Sequence, residues 1–259
     1  MTYIDTHCHL VSEKLRDDLK SYVAEAKIHG IHKIINVAYD PETVELVQSQ
    51  IDQHDMLYGA VGIQPHDALS FNETTAQRIK EVALNHKKIV AIGEIGLDAY
   101  YKLSPMENQF ACFEHFLDLA IEAHLPVIVH VRETHTDVHS RLKTFSQKGG
   151  TGVIHCFTGS LPEAREFLDL GFYISFSGIV TFKSAAALAE VAKYVPSDKL
   201  LIETDSPYLA PIPMRGKTNQ PSYVRHTCAF IAELRNMSLP DCAALTTQNA
   251  EILFPRLKN

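Results

Sequence analysis

His7-Cys8-His9 places two imidazoles two residues apart at the end of a short apolar run. In extended chain such residues point to the same face, so both rings can offer a nitrogen to one cation while Cys8 turns the other way. The spacing also describes two unrelated histidines at a strand end. Four more residues occupy the same kind of place. Glu94 follows Val90-Ala91-Ile92-Gly93, where an unpaired carboxylate costs several kcal/mol to bury. His130, His155 and Asp205 each follow another apolar run. Together these donors exceed what one open catalytic zinc needs. They suit two divalent ions, with His7, His9 and Asp205 on one, His130 and His155 on the other, and Glu94 between them. Glu203 shares a strand face with Asp205 and is expected behind it, as a partner or a nearby acid–base group. Cys8 and Cys156 are expected to be packing.

Two such ions outweigh the charge of two carboxylates and leave a net positive, water-accessible site. That suits an anionic substrate such as a phosphodiester, because paired metals activate water and stabilise both attacking and leaving oxygens. Glu94 and Asp205 are then the catalytic carboxylates, one bridging and one moving a proton. The mixed donor set admits zinc, manganese or magnesium. The proline-rich segment 206–221 carries Arg215 and Lys217 and reads as a lid that brings cations to a phosphate, with Arg132 and Lys183 as weaker candidates. Tyr100, Tyr101 and Phe157 lie just past apolar runs and could stack bases. A small-molecule amide, lactone or ester hydrolase with the same metal pair is a second reading, and a non-enzymatic interaction protein a third. No P-loop, GxSxG or HExxH occurs, and Gly93-Glu94-Ile95-Gly96 lacks the context of a dinucleotide fingerprint.

The elements that must position these groups recur along the chain. Short β-branched runs lie at 3–5, 33–37, 58–63, 89–92, 127–129, 152–154, 173–176 and 200–202. They are apolar on consecutive positions, as strands buried on both faces are. Amphipathic runs follow at 17–29, 41–53, 74–86, 105–123, 136–147, 162–170, 185–195 and 223–234, with another at 240–253. Asp40-Pro41 starts a helix. Ser104 to Glu107 and Ser160 to Glu163 have capping-box spacing, and Gly30, Gly149 and Gly171 sit where helices should stop. The alternation predicts a (β/α)8 TIM barrel rather than an open doubly wound sheet. Closure would set the first and last strands, both ending in candidate ligands, side by side at the face where barrel active sites lie.

The length of 259 residues fits one such barrel as a single domain, 1–259. A hydrophobic share of 46% excludes a disordered chain. A net charge of −7 argues against a nucleic-acid coat or a polybasic membrane binder. The five cysteines are odd in number and form no CxxC, which reads as reduced thiols. The stretch 1–7 has neither a basic nor an apolar leader region, and no apolar run is long enough to span a membrane. A cytoplasmic protein is expected, with no membrane contact and no evident need for a protein partner.

The chain resembles the TatD-type metal-dependent hydrolases, or TatD deoxyribonucleases, of the amidohydrolase-like barrels. The resemblance rests on Ile4-Asp5-Thr6-His7-Cys8-His9-Leu10, Gly93-Glu94-Ile95-Gly96-Leu97-Asp98, Pro126-Val127-Ile128-Val129-His130 and His155-Cys156-Phe157-Thr158-Gly159-Ser160. It extends through Glu203-Thr204-Asp205-Ser206-Pro207-Tyr208-Leu209-Ala210-Pro211 and Arg215-Gly216-Lys217-Thr218-Asn219. It implies that His7, His9, Glu94, His130, His155 and Asp205 are metal positions and Asp205 the acid–base residue. The implied activity is divalent-metal-dependent DNA hydrolysis, typically exonucleolytic, on single-stranded or frayed ends. Gln64, His66, Arg132, Glu203, Arg215, Lys217 and Asn219 are the expected substrate surroundings. The chain departs from the family pattern at three places: Gln64 stands for a usual histidine, Gln220 for a usual glutamate, and Val131-Arg132-Glu133 for a usual Ser-Arg-Asp. His66 is the neighbour that could stand in for the missing histidine.

Overall fold

Strands that are apolar on both faces need a packed interior on one side and helices on the other. The computed structural model, which describes residues 1–258, supplies both. Its strands are β1 (Tyr3–Cys8), β2 (Ile31–Val37), β3 (Leu57–Val61), β4 (Ile89–Asp98), β5 (Val127–Arg132), β6 (Gly152–Ile154), β7 (Tyr173–Phe176) and β8 (Leu200–Ile202). They pair in sequence order, each parallel to the next. The helices are α1 (Leu19–Ile28), α2 (Pro41–Gln53), α3 (Glu73–Asn85), α4 (Met106–Ala123), α5 (His135–Gln147), α6 (Leu161–Asp169), α7 (Ala186–Tyr194), α8 (Val224–Leu234) and α9 (Leu239–Leu253). The ring closes where β1 meets the end of β8. Cys8 bridges Ser206, His9 N–H donates to the Ser206 carbonyl at 2.8 Å, and Asp205 N–H donates to the His7 carbonyl at 2.9 Å. This is a (β/α)8 TIM barrel, as the alternation predicts, and not the open sheet. Asn259, the last residue of the expected domain, lies outside the described residues.

Each strand sends residues inward. Ile4, Ile35, Val37, Tyr58, Ala60, Val90, Ile128, Val153, Tyr173 and Leu201 form one buried cluster, to which the chain end adds Phe254 and Leu257. Phe254 and Leu257 are fully buried, at about 1.5–3 kcal/mol each for the apolar surface removed from water. Arg256 donates to the Ile89 carbonyl at 2.7 Å, which fixes this plug against the start of β4. The opposite end is left for polar groups. Among the described residues no helix is long and apolar enough to cross a membrane.

Local side-chain caps set the starts of α2, α3, α6 and α9. Asp40 and Thr43 form a capping box at α2 with Pro41 in the first turn, and Ser160 and Glu163 do the same at α6. The expected box at 104–107 does not form: α4 starts after Pro105 with no side-chain cap. The Ser104 hydroxyl donates instead to the His66 carbonyl at 2.7 Å, a tertiary use that outcompetes the local one. Strands β1, β4 and β5 run on past the apolar segments expected at 3–5, 89–92 and 127–129. Gly96 pairs with His130 and Asp98 with Arg132, so the ladder continues through polar residues.

Gly96 has φ of +141°, and a Cβ there would clash with the His130 carbonyl oxygen. Gly96→Ala is expected to destabilise the chain by about 3 kcal/mol or more, read as a lower urea midpoint at unchanged slope. A midpoint equal to wild type would show that the β4–β5 contact is not this close.

Candidate metal centre and substrate cavity

Positions within β4 and β5 and at or just past the ends of β1, β6 and β8 bring five of the expected residues together around a sixth, the Glu94 carboxylate. Glu94 is 3% exposed, so its charge must be met by the protein or by a bound cation. Its Oε2 lies 3.5 Å from both His7 Nε2 and His9 Nε2. Its Oε1 lies 2.9 Å from His130 Nδ1 and 3.1 Å from His155 Nε2. Asp205 Oδ1 stands 3.8 Å from His7 Nε2 and 3.6 Å from His9 Nε2, on the Oε2 side. The two carboxylate oxygens of Glu94 thus face separate histidine pairs.

The donor chemistry fits divalent ions. His9 Nδ1 lies 2.9 Å from the Val37 carbonyl and so carries the proton, which leaves the lone pair on Nε2. That Nε2 is 3.1 Å from His7 Nε2. Lone pairs at this distance repel unless a proton or a cation lies between them. His7, His9 and Glu94 form one group able to hold an ion, and Glu94, His130 and His155 another.

Burial and neighbouring charge pull the titrating groups apart. Burial works to raise the Glu94 carboxyl, but His155 and hydrogen bonds from His130, His155 and His7 hold it well below the usual range. Burial and the neighbouring His155 push the His7 imidazole down to about 4. His155 goes the other way: Glu94 and Glu203 overcome its burial and raise it. The two rings stack in parallel at 3.9 Å. Asp205 keeps 15% side-chain exposure. Burial, only partly offset by His155 and His9, pushes it up to about 6. Its backbone holds φ of +56°, an uncommon conformation that a non-glycine residue adopts at a cost.

Asp205, Glu94, His9, His130 and His155 open onto a cavity of about 750 Å³ that also takes in Gln64, His66, Arg132, Tyr101, Cys156 and Tyr208. The Arg132 guanidinium lies 4.0 Å from the Tyr100 ring centroid and 4.7 Å from that of Tyr101. The Gln64 amide donates to Asp67 at 2.7 Å. Cys156, expected as packing, lines the cavity, with its thiol 3.2 Å from the Ser177 hydroxyl.

Four expected substrate contacts lie elsewhere. Glu203 is fully buried behind His155, its Oε1 3.4 Å from His155 Nδ1 and accepting the Cys156 N–H at 2.7 Å. Asn219 is fully buried too. Its amide donates to the Thr204 and Tyr208 carbonyls at 2.8 and 2.6 Å, so it ties down the loop after β8. Arg215 is exposed and rests on Phe182, 4.5 Å from its ring centroid. Lys217 is exposed, and neither cation lines the cavity. Phe157 is buried rather than open to bases. Sequence reasoning missed Asp98, which accepts from His66 and His130. Its position at the end of the apolar β4 run was the available signal.

A family model described as TatD related DNase matches residues 4–255. The metal-dependent hydrolase YabD of Bacillus subtilis is 43% identical over 96% of this chain and 98% of its own length. The metal-dependent hydrolase YcfH of Escherichia coli K12 is 38% identical over 98% of this chain and 96% of its own. The crystal structure of YjjV, a TatD homologue from Escherichia coli K12, superimposes with a TM-score of 0.92 at 30% identity, covering 98% of both chains.

Asp205 gives the metal-free protein a pH signature. Its carboxyl moves from an ordinary 3.8 to about 6 on folding, so between those values the folded chain holds more protons than the unfolded one. Stability therefore falls as pH rises through this window. Asp205→Asn removes the effect. In chelator-treated protein, the stability of wild type relative to the variant should drop by on the order of 3 kcal/mol from about pH 4 to about pH 7. A pH-independent difference would sink this assignment.

Proposed function

This chain belongs to the TatD related DNase family, and we propose that it is a divalent-metal-dependent hydrolase of phosphoric esters in DNA, acting from single-stranded or frayed ends. One observation carries the reading. Glu94 turns one oxygen to His7 and His9 and the other to His130 and His155, the arrangement expected of a carboxylate shared by two ions. The names of the relatives, metal-dependent hydrolases, support the hydrolytic class. His7, His9 and Asp205 would hold one ion, and His130 and His155 the other. Bound there, a pair of divalent ions supplies an acidified water and charge neutralisation at phosphorus.

The side chains supply the rest. Imidazoles on both sides keep Glu94 ionised. Asp205 sits on the cavity wall with an affinity for protons raised towards neutrality, so one of its carboxylate oxygens accepts the proton of the attacking water. Arg132, held against Tyr100 and Tyr101, turns N–H groups to a phosphate oxygen. The exposed faces of Tyr100, Tyr101 and Tyr208 offer stacking for bases. Zinc, manganese and magnesium all remain suitable ions. The unpaired cysteines suit a reducing compartment such as the cytoplasm.

The position of Arg215 and Lys217 outside the cavity favours a second reading. With those cations away from the reacting centre, the same site could hydrolyse a small amide, lactone or ester. End-labelled single-stranded DNA separates the two. Protein stripped of metal and resupplied with manganese, magnesium or zinc should release nucleotides. Asp205→Asn should cut that release by about 10²–10⁴-fold, as expected for loss of a general base. Bound metal without any release from DNA would leave the small-molecule reading in place.

A further inference from the structure

The mechanism above leaves Asp98 unused, yet this carboxylate is buried and has four hydrogen-bond partners. It ends β4 and is fully buried. Its Oδ2 lies 3.0 Å from His66 Nε2 and 3.1 Å from His130 Nε2. Its Oδ1 accepts the backbone N–H groups of Tyr100 at 2.9 Å and Tyr101 at 2.8 Å. The buried Gln109 of α4 accepts the Asp98 N–H at 2.8 Å and donates to the carbonyls of Asp98 and Ser104 at 3.1 and 2.9 Å. Ser104 in turn donates to the His66 carbonyl and accepts the Leu69 N–H at 3.2 Å. His66 is therefore held by its ring and by its backbone, from two neighbouring points of one loop.

A neutral imidazole that gives its Nε2–H to a carboxylate keeps its lone pair on Nδ1. For His130, Nδ1 is the atom facing Glu94. For His66, Nδ1 has no partner among the described residues. The ring lines the cavity with 21% side-chain exposure, edge-on to Tyr101 at 5.3 Å. Gln64, the other polar side chain of this loop at the cavity, spends its amide on Asp67.

We propose that Asp98 is a positioning residue that sets two imidazoles at once, aiming His130 Nδ1 at the metal centre and His66 Nδ1 at the substrate. His66 then accepts a hydrogen bond from a substrate hydroxyl or amino group, such as a sugar hydroxyl or a nucleobase amine, rather than donating to a phosphate oxygen. This rests on the metal centre proposed above and adds a specificity contact to it. A carboxylate shared in this way also ties the two functions together, so that disturbing Asp98 affects metal binding and substrate choice in one step.

Two phosphodiesters and one spectroscopic measurement test it. Thymidine 5′-(p-nitrophenyl phosphate) carries a hydroxyl and a base, whereas bis(p-nitrophenyl) phosphate has neither hydroxyl nor amine. With manganese-loaded protein, His66→Ala should lower the kcat/KM ratio of the nucleotide ester over the plain ester by about tenfold, chiefly through KM. Asp98→Asn should lower the same ratio and weaken zinc binding about 10–100-fold in chelator competition. The double variant should match Asp98→Asn in the ratio, because the contact is already lost. Nitrogen–proton correlation spectra of the zinc-loaded wild type should show His66 and His130 both protonated on Nε2. An unchanged ester ratio in His66→Ala, additive effects in the double variant, or His66 protonated on Nδ1 would overturn the proposal. If Asp98→Asn does not fold, His66→Ala and the wild-type spectra decide. If the wild type hydrolyses neither ester, the phosphodiesterase reading fails, and the spectra and zinc competition still judge Asp98.

Discussion

The barrel closes through the residues of its own candidate site. β8 is three residues long and meets β1 mainly beyond its own end. There Asp205 N–H reaches the His7 carbonyl, and His9 N–H reaches the Ser206 carbonyl. One step below, the Asp5 carboxylate accepts the Thr204 N–H at 2.9 Å and the Thr204 hydroxyl at 2.6 Å. Thr6 donates its hydroxyl to the Ile202 carbonyl at 2.9 Å. Closing the sheet and assembling His7, His9 and Asp205 are thus one event. This seam also accounts for the backbone of Asp205. A non-glycine residue at positive φ costs on the order of 1 kcal/mol or more, and the hydrogen bond to His7 offsets it. Rigid placement on strand ends, rather than on a mobile loop, is what a site of narrow geometric tolerance requires.

The same crowding forces an electrostatic choice. Four imidazoles and two carboxylates meet too closely for water to lie between them. Without cations the protein must distribute protons. His155 takes one readily, and its parallel neighbour His7 is driven towards the neutral form. On the same side, His7 Nδ1 is buried without a hydrogen-bond partner among the described residues. An unmet polar atom at this depth is costly. Divalent ions would replace shared protons between the nitrogens and Glu94, so binding would release protons and grow stronger as pH rises. The proposed function needs that exchange. The fold has already met its main cost by burying the ligands.

The structure brings together His7, His9, Glu94, His130, His155 and Asp205. Their place just past apolar runs made them legible in the sequence. Strand length was not legible by the same rule, because the rule ends a strand at the first polar residue while the ladder of β4 and β5 continues through Gly96 and Asp98. Asp98 itself escaped notice because its partners, His66 and His130, each lie 32 residues away along the chain. Ser104 had the right spacing for a local cap, and a tertiary partner took its hydroxyl. Arg215 and Lys217 illustrate a different limit. Composition shows that a loop carries cations, but only packing shows that Arg215 turns to Phe182 rather than to the cavity. Asn219, in the same loop, matches the family pattern as part of the frame that holds Tyr208 and Thr204 in place.

The charge balance adds a constraint on how the proposed substrate is met. A net charge of −7 repels a polyanion at long range. At physiological ionic strength that repulsion is screened within about 8 Å, so recognition has to be short-ranged. Of the cationic side chains, Arg132 is the one lining the cavity, and two tyrosine rings hold it there. A chain end that enters the cavity can meet Arg132, the charge of bound ions, the tyrosine faces and the lone pair of His66 together. On the proposed function, a flexible end with an unpaired base would suit this cavity better than the interior of a duplex. That fit follows from where the few attractive groups sit.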